Sequence, residues 1–456
     1  MTTPGQQVIR QWYKQKDWKQ FPFQKEMESV YLAGNSGLLN APTGSGKTFA
    51  LFLPFLADFV NKYPDYKTRK NNGLQMLWIT PLRALTNDIR KAMQEVCDEL
   101  EIPWKIATRT GDTPAAEKAA LKKKLPEVLL TTPESLHLML AQKDYPAVFK
   151  SLQVLVVDEW HELLGIKRGV QVELGLSRLK HLADGMRIWG ISATIGNLEQ
   201  AGDVLLGNDF PKENLKMVRA NVEKKLQIKS IIPENVENYS WAGHIGLKLL
   251  PQVMDLVAKS KTTLIFTNTR SQSEIWYHAI LDNYPEYAGV MAMHHGSLDN
   301  ELRNWVEAAL HAEALKVVVC TSSLDLGVDF RPVDTVIQVG SPKGVARFMQ
   351  RAGRSGHHPG AVSKAYFVPT HSMELLEGAA LKQAIKQGIF ESRDPMLLAM
   401  DVLIQYMVTL AVSDGFTADE LFKEIKTTYA FADITSKEFS QLLDFITNGG
   451  KTLAQY

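Results

Sequence analysis

Cysteine is almost missing from this sequence. Its 456 residues hold two, Cys97 and Cys320, in what read as different domains. That excludes a disulfide framework and a cysteine-based zinc site, and it fits a reducing compartment. No apolar run approaches the roughly 18 residues of a membrane span, and Met1-Thr-Thr-Pro-Gly-Gln-Gln lacks a signal-peptide core. The sequence therefore reads as soluble and cytoplasmic, with no membrane partner. Neither sign of charge is in excess: 51 basic and 50 acidic residues leave +1. That balance neither demands nor excludes a polyanionic partner, because basic groups can concentrate in one groove. Short tandem repeats and low-complexity tracts are also lacking. Apolar residues make up 45%, enough to exclude global disorder and to fill two or three domains.

Short apolar runs at 38–41, 76–80, 127–132, 152–158 and 187–193 alternate with stretches long enough for helices. Runs apolar on both faces predict a parallel sheet covered on both sides, with chemistry at the carboxyl ends of its strands. A less apolar stretch, 203–240, marks a domain boundary. A second alternation follows at 262–267, 289–293, 317–320, 335–339 and 365–368. From about Ser392 the character changes, and 395–411, 417–425 and 435–448 read as three helices. Thr417-Ala-Asp-Glu420 and Thr435-Ser-Lys-Glu438 match the capping-box pattern, and Gly449-Gly450 stops the last helix. The expected domains are 1–220, 221–391 and 392–456. The last looks like a winged helix cut before its wing, with a helical cap on the second sheet domain as the alternative. The apolar residues of 395–411 run nearly all round, which predicts a helix buried between domains.

The chemistry centres on two motifs. Ala41-Pro-Thr43-Gly44-Ser45-Gly46-Lys47-Thr48 joins a strand run to a helical run. Glycines there let backbone N–H groups close around phosphates, Lys47 reaches the β- and γ-phosphates, and the Thr48 hydroxyl ligates Mg²⁺. The strict pattern begins with glycine, where this chain has Ala41. Asp158-Glu159-Trp160-His161 ends another strand run. Asp158 is suited to hold Mg²⁺ and Glu159 to orient or deprotonate the attacking water. ATP and magnesium are the cofactors this pairing implies. Such a site needs further cations. Gln350-Arg351-Ala-Gly-Arg354-Ser-Gly-His357 offers two arginines at i, i+3 on one helix face, able to reach one target.

Threonines and arginines at the other strand ends suit sequence-independent contact with a phosphate backbone. The candidates are Thr80, Arg83, Arg109, Thr110, Gly111, Thr131, Thr132, Thr267, Arg270, Thr321 and Ser322. Taken singly, each threonine is as well explained as a cap or turn residue. Lys122-Lys-Lys124 reads as a solvated helix face. His294-His295 would point to opposite faces of a strand, so it is a poor metal pair. Trp12 and Trp18 read as core packing, with stacking on adenine left open.

These motifs together resemble the superfamily 2 helicases, whose series appears in order between about residues 20 and 370. Phe23-Gln24 resembles the upstream glutamine that reads adenine, and 41–48 is similar to motif I. Thr80-Pro-Leu-Arg-Ala-Leu85 and Thr131-Thr-Pro-Glu-Ser-Leu136 resemble motifs Ia and Ib. Asp158–His161 resembles a DExH box, Ser192-Ala-Thr194 motif III, and Ile265-Phe-Thr-Asn-Thr-Arg270 motif IV. Thr321-Ser-Ser-Leu-Asp-Leu-Gly-Val-Asp329 and 350–357 resemble motifs V and VI. Asp-Glu-Trp-His, His294-His-Gly-Ser-Leu298 and Arg351-Ala-Gly-Arg-Ser-Gly-His-His358 look like the large helicase-related (Lhr) family. Trp12-Tyr, Trp18 and Phe21-Pro-Phe-Gln24 look like its bacterial branch encoded beside a DNA ligase. Family members continue past a winged helix, so this chain reads as a truncated form.

The resemblance implies an α/β fold of two tandem RecA-like parallel-sheet domains with ATP in the cleft, followed by a small helical, winged-helix-like domain. It implies ATP-driven 3′-to-5′ movement on single-stranded DNA, unwinding of DNA or RNA–DNA duplexes, and DNA repair beside proteins such as a ligase or nuclease. By carry-over Gln24 contacts adenine and Asp329 the ribose or coupling network. Gln350, Arg351 and Arg354 contact the γ-phosphate and water. His161, with Ser192 and Thr194, links the ATP site to motif VI. An RNA-directed remodeller and a nucleic-acid-binding scaffold with an inactive ATPase are the alternatives.

Overall fold

The computed structural model describes residues 2–42, 44–193, 195–221, 226–232, 246–325, 333–356 and 362–449, without the side chains of 83–85. Contacts divide the chain into two compact units. One gathers residues 1–41, 46–221 and 392–456; the other holds 222–391 with the short loop 42–45.

The first unit is built on strands β1 (Ser36–Asn40), β2 (Met76–Ile79), β3 (Ile106–Arg109), β4 (Val128–Thr131), β5 (Val154–Val157), β6 (Arg187–Ser192) and β7 (Leu215–Arg219). They form one sheet in the order β3-β4-β2-β5-β6-β1-β7, every pair parallel. Inner strands such as Met-Leu-Trp-Ile (β2) and Val-Leu-Val-Val (β5) are buried throughout, as a sheet covered on both faces requires. The second unit repeats the plan with β8 (Leu226–Ser230), β9 (Thr263–Phe266), β10 (Met291–His294), β11 (Val317–Cys320), β12 (Thr335–Val339) and β13 (Ser363–Val368). Their order is β10-β11-β9-β12-β13-β8, again all parallel.

Ten of these strands coincide with apolar runs in the sequence. In the first sheet the runs overshoot at their carboxyl ends, because the chain stays buried as it leaves those strands. Strands β3, β7 and β8 carry no such run. They lie at sheet edges, and β7 and β8 are only partly buried (Leu-Lys-Met-Val-Arg and Leu-Gln-Ile-Lys-Ser). The stretch 203–240, read as a boundary, thus supplies an edge strand to each sheet.

The C-terminal helices are Met400–Ala411, Ala418–Lys426 and Ser436–Asn448. The first begins at Met400 and not at 395, because Leu398 adopts φ 49°, a left-handed conformation that a helix does not accept from leucine. Its amide donates to the Ala430 carbonyl at 2.9 Å. Thr435 and Glu438 complete their capping box; Gly450 lies outside the described residues. The helices are not a cap on the second sheet: they belong to the first unit. Met400–Ala411 packs on helices Pro133–Leu140 and Lys167–Leu182, while Val408 and Val412 stay exposed. Leu403, Tyr406, Leu410, Leu421, Ile425 and Phe431 join the same apolar cluster as Val170 and Leu174.

Polar groups lock this packing. Tyr406 donates to Glu424 Oε1 at 2.6 Å, and Arg178 pairs with Glu424 Oε2 at 3.2 Å. The Asn208 amide donates to the Thr427 carbonyl at 2.7 Å, and Glu173 Oε2 accepts from the Ala430 N–H at 2.9 Å. Burial pushes the Glu173 carboxyl up to about 8, against the opposing pull of that backbone N–H. Its folded pKa lies above its ordinary 4.5, so the folded state holds the extra proton. The stability it contributes is complete below about pH 4.5 and is lost as pH rises through about 8. Glu173→Gln keeps an acceptor for Ala430 and removes the titration. In thermal unfolding, the midpoint of the variant minus that of the parent should therefore grow as pH rises from about 5 to about 8. A difference independent of pH would refute the assignment.

Candidate active site

Strand β1 ends at Asn40, and helix Lys47–Lys62 begins seven residues on. Between them Gly44 and Gly46 have φ of 75° and 79°, conformations that side chains disfavour. A Cβ on Gly46 would also lie 2.9 Å from Gln24 Nε2. Gln24 is buried and fixed at both ends of its amide. Its Nε2 donates to the Gly46 carbonyl at 3.2 Å; its Oε1 accepts from the Phe21 N–H at 2.9 Å and from Tyr13 OH at 3.4 Å. Ser45 Oγ donates to the Pro42 carbonyl at 2.7 Å. Thr43 lies outside the described residues. Thr48, the second residue of the helix, is partly exposed.

Beyond β5 the Asp158 amide still donates to Ile79 of β2, at 2.7 Å. The chain then turns sharply at Glu159, with φ 48° and ψ 42°. This left-handed turn costs a non-glycine residue about 1 kcal/mol. It leaves two adjacent carboxylates buried at the strand tip, each 2% exposed. Lys47 closes the group: its ammonium pairs with Glu159 and lies 3.9 Å from Asp158 Oδ1. Asp158 Oδ1 also accepts from the Glu159 N–H at 2.9 Å. Burial raises the Asp158 pKa, Lys47 opposes that, and the neighbouring Glu159 charge adds to it. A divalent cation would oppose this rise too. Carboxylate and hydroxyl oxygens beside a glycine-lined loop form the donor set that magnesium and phosphate require, so the residues present fit the pair.

His161 is buried beside them. Its Nδ1 accepts from the Ala193 N–H at 3.1 Å, which places the ring proton on Nε2. That nitrogen faces Glu159 Oε2 at 3.6 Å and Glu162 Oε1 at 3.5 Å. Burial lowers the His161 pKa and holds the ring neutral. Ser192 Oγ donates to the Ala193 carbonyl at 2.9 Å, and Asn40 Nδ2 donates to the same oxygen at 2.8 Å. His161 therefore ties the carboxylate turn to the end of β6 within its own unit. Thr194 lies outside the described residues. Trp160 is core: its indole, 0% exposed, donates to the Ala201 carbonyl at 2.8 Å and fixes helix Leu198–Leu206.

In the second unit Arg351 and Arg354 do reach one target, but it is Asp325. Arg351 is 2% exposed. Its Nε and Nη2 donate to the two Asp325 carboxylate oxygens at 2.6 and 3.0 Å, and its Nη1 donates to Gln338 Oε1 at 2.5 Å. Arg354 Nη2 donates to the Asp325 backbone carbonyl at 2.9 Å. The helix ends at Ala352, so Arg354 belongs to the turn beyond it, not to the same helix. The expectation for Arg351 is thereby amended: it is built into the unit. Gln350 is buried. Asp329, His357 and His358 lie outside the described residues. Asp325 and Gln338 were missed, although Asp325 stood inside the segment 321–329 already singled out.

The candidates for nucleic-acid contact divide by exposure. Thr80, Thr110, Thr131, Thr132 and Thr267 are buried. Thr131 Oγ1 donates to the Arg109 carbonyl at 2.8 Å, Thr132 caps helix Pro133–Leu140, and Thr267 bonds Ser273 at 2.6 Å. Their hydroxyls serve the fold. Gly111, Arg270 and Ser322 are exposed, and Arg109 and Thr321 partly so; Arg270 also pairs with Glu274 at 2.8 Å. The Arg83 side chain lies outside the described residues. Lys122 and Lys123 sit on a helix with no buried residue. His294 bonds Ser323 and Glu307 at 2.7 and 3.2 Å. Trp12 is core and donates to Glu99 at 2.7 Å, but Trp18 is 48% exposed, edge-on to Trp12 and beside Phe49.

A glycine loop and a buried acid pair on one parallel sheet, with a second parallel sheet following in the chain, define the class as a DEAD/DEAH-box helicase core. The DEAD/DEAH box helicase profile matches residues 21–201, and the helicase conserved C-terminal domain matches 247–358. The winged helix domain of the large helicase-related protein matches 383–456, and with it the chain belongs to the Lhr family. It is 34% identical to the ATP-dependent helicase Lhr-Core of Methanocaldococcus jannaschii, over 97% of this chain and 52% of that protein. It is 31% identical to the Lhr helicase/uracil glycosylase of Escherichia coli, over 96% of this chain and 32% of that protein. Among solved structures it resembles Mycobacterium smegmatis helicase Lhr bound to ssDNA and AMP-PNP. That match has a TM-score of 0.83 and 30% identity, and it covers 96% of this chain and 57% of the other. The chain spans about half the length of the archaeal Lhr-Core relatives.

Two outcomes follow from this geometry. Glu159→Gln should bind ATP yet hydrolyse it slower by at least about 10²-fold, the usual contribution of a positioned base; steady-state phosphate release reads this, and an undiminished rate would refute it. Asp325→Ala leaves the buried Arg351 guanidinium uncompensated and should destabilise the second unit by about 3–5 kcal/mol in denaturant unfolding.

Proposed function

We propose that this chain is an ATP-dependent nucleic-acid translocase and helicase. It moves 3′ to 5′ on single-stranded DNA and unwinds DNA or RNA–DNA duplexes in DNA repair. The observation that carries the reading is Lys47 set against the buried Asp158–Glu159 pair at the end of a phosphate-binding loop. Membership of the Lhr family supports the nucleic-acid substrate, as does the ssDNA-bound relative.

Hydrolysis follows from what these residues do. The loop N–H groups and Lys47 bind the phosphates. Phosphate oxygens compete with Glu159 for Lys47, and that competition releases Glu159 to act on water. Thr48 and Asp158 hold Mg²⁺, which supplies charge neutralisation on the phosphates. Neutral His161 keeps Glu159 Oε2 in place. Gln24 joins the adenine end to the loop through Gly46. Gln350, Arg354 and Asp329 serve the γ-phosphate and ribose, while Arg351 positions Arg354 through Asp325. Arg109, Gly111, Arg270, Thr321 and Ser322 carry the phosphate backbone of the strand. Trp12, Trp18 and 21–24 support the branch linked to a DNA ligase, which makes a ligase or nuclease the natural repair partner. No described helix is long and apolar enough to cross a membrane, and the buried free cysteines suit a cytoplasmic setting.

The decisive experiment pairs ATP hydrolysis, with and without single-stranded DNA, with strand displacement on 3′-tailed and 5′-tailed duplexes. DNA should stimulate hydrolysis and only the 3′-tailed duplex should open. No stimulation by any nucleic acid would defeat the proposal. Stronger stimulation by RNA than by DNA would favour the RNA-directed remodeller.

A further inference from the structure

The C-terminal helical region reaches the catalytic turn through one residue. The chain enters the first unit at Ser392, and Arg393 is clasped at once. Its N–H donates to Asn197 Oδ1 at 3.0 Å, and its carbonyl accepts from Asn197 Nδ2 at 2.9 Å. Its guanidinium Nη2 donates to Glu162 Oε1 at 3.3 Å. The next carbonyl, that of Asp394, lies so close to Gly165 that a Cβ there would be 2.7 Å from it. Asn197 stands three residues beyond Thr194, and Glu162 follows His161 directly. Both clasping residues therefore flank the catalytic elements.

One oxygen joins the two sides. Glu162 Oε1, held by Arg393, is the oxygen that lies 3.5 Å from His161 Nε2. The same nitrogen lies 3.6 Å from Glu159 Oε2. The series Arg393, Glu162, His161, Glu159 thus runs from the first docked residue of the helical region to the base. Each step is a polar contact within a single unit. At its far side the same helical region touches the helix capped by Thr132. Tyr406 lies edge-on to His137 of that helix, with ring centroids 5.6 Å apart, and Asp401 pairs with Lys167, at the start of helix Lys167–Leu182, at 2.6 Å.

We propose that Arg393 is a positioning residue for ATP hydrolysis, the point at which docking of the C-terminal helical region sets the geometry of the DExH turn. This rests on the ATPase reading given above. Arg393 draws Glu162 toward the helical region, so His161 Nε2 is shared between two carboxylates and stays beside Glu159. Without Arg393, Glu162 takes the His161 N–H undivided, and the ring turns from Glu159. The bond contributes little to folding. Both partners reach solvent, with side chains 31% and 19% exposed, and such pairs add little net stability. The two Asn197 bonds to the Arg393 backbone do not depend on its side chain.

The test uses the full chain with saturating single-stranded DNA, and it compares the parent with Arg393→Ala, Arg393→Lys, Glu162→Gln and the Arg393→Ala/Glu162→Gln double variant. Arg393→Ala should lower kcat for ATP about 5–20-fold, with KM for ATP and the thermal midpoint nearly unchanged. Arg393→Lys should recover at least about half of the lost rate, since the charge is what holds Glu162. Because both residues act on one path, the double variant should be no slower than the slower single variant. An Arg393→Ala enzyme as fast as the parent would overturn the inference and leave the ATPase reading intact. So would a rate loss that follows a lowered thermal midpoint and resists rescue by lysine. A parent that hydrolyses no ATP would bring down both.

Discussion

Lys47 between Asp158 and Glu159 is the contact on which the rest of this molecule depends. Two carboxylates at adjacent positions, each almost wholly out of water, repel one another and lose their hydration. One ammonium from the helix after the glycine loop offsets part of that cost. The arrangement forces three elements into register: the tip of β5, the end of β1 and the first turn of helix Lys47–Lys62. An all-parallel sheet makes this convergence natural, because its strand tips lie along one rim. The strained turn at Glu159 is tolerated because Asp158 continues the strand ladder on one side and Trp160 is anchored in the core on the other.

Much of this was legible in the residues. Apolar runs located the inner strands because strands buried on both faces carry no polar alternation. Glycines 44 and 46 and the pair 158–159 announced the site because phosphate binding and metal binding restrict residue type severely. Edge strands β3, β7 and β8 were illegible for the opposite reason. A half-solvated edge places no demand on its outer positions, so β7 and β8 merged with the polar stretch around them. The onset of helix Met400–Ala411 was misplaced because apolar content continues upstream through Leu397 and Leu398, and the backbone turn at Leu398 leaves no mark on composition.

Side-chain partnership was harder to read than side-chain identity. Arginines at 351 and 354 looked like a pair aimed outward. Their geometry depends on Asp325 and Gln338, which lie 26 and 13 residues away from Arg351 in the chain. The buried threonines show the same limit, since a hydroxyl that caps a helix and one that meets a phosphate are the same letter. Trp160 marked the family in the sequence, and the structure shows an ordinary physical reason for an indole there: bulk for the core and one N–H for the Ala201 carbonyl.

The first unit is discontinuous: residues 222–391 intervene between its sheet and the helices that finish its core. During synthesis the sheet emerges long before Leu403, Tyr406 and Ile425 exist to cover helix Lys167–Leu182. At about 5–20 residues per second, that delay is on the order of 10–30 seconds. A nascent chain must therefore keep an apolar helix face waiting while an entire second unit is made, and the outer layer of the first unit is the last to form. Chaperone demand on the ribosome, not the finished stability of either unit, is where this architecture is most exposed.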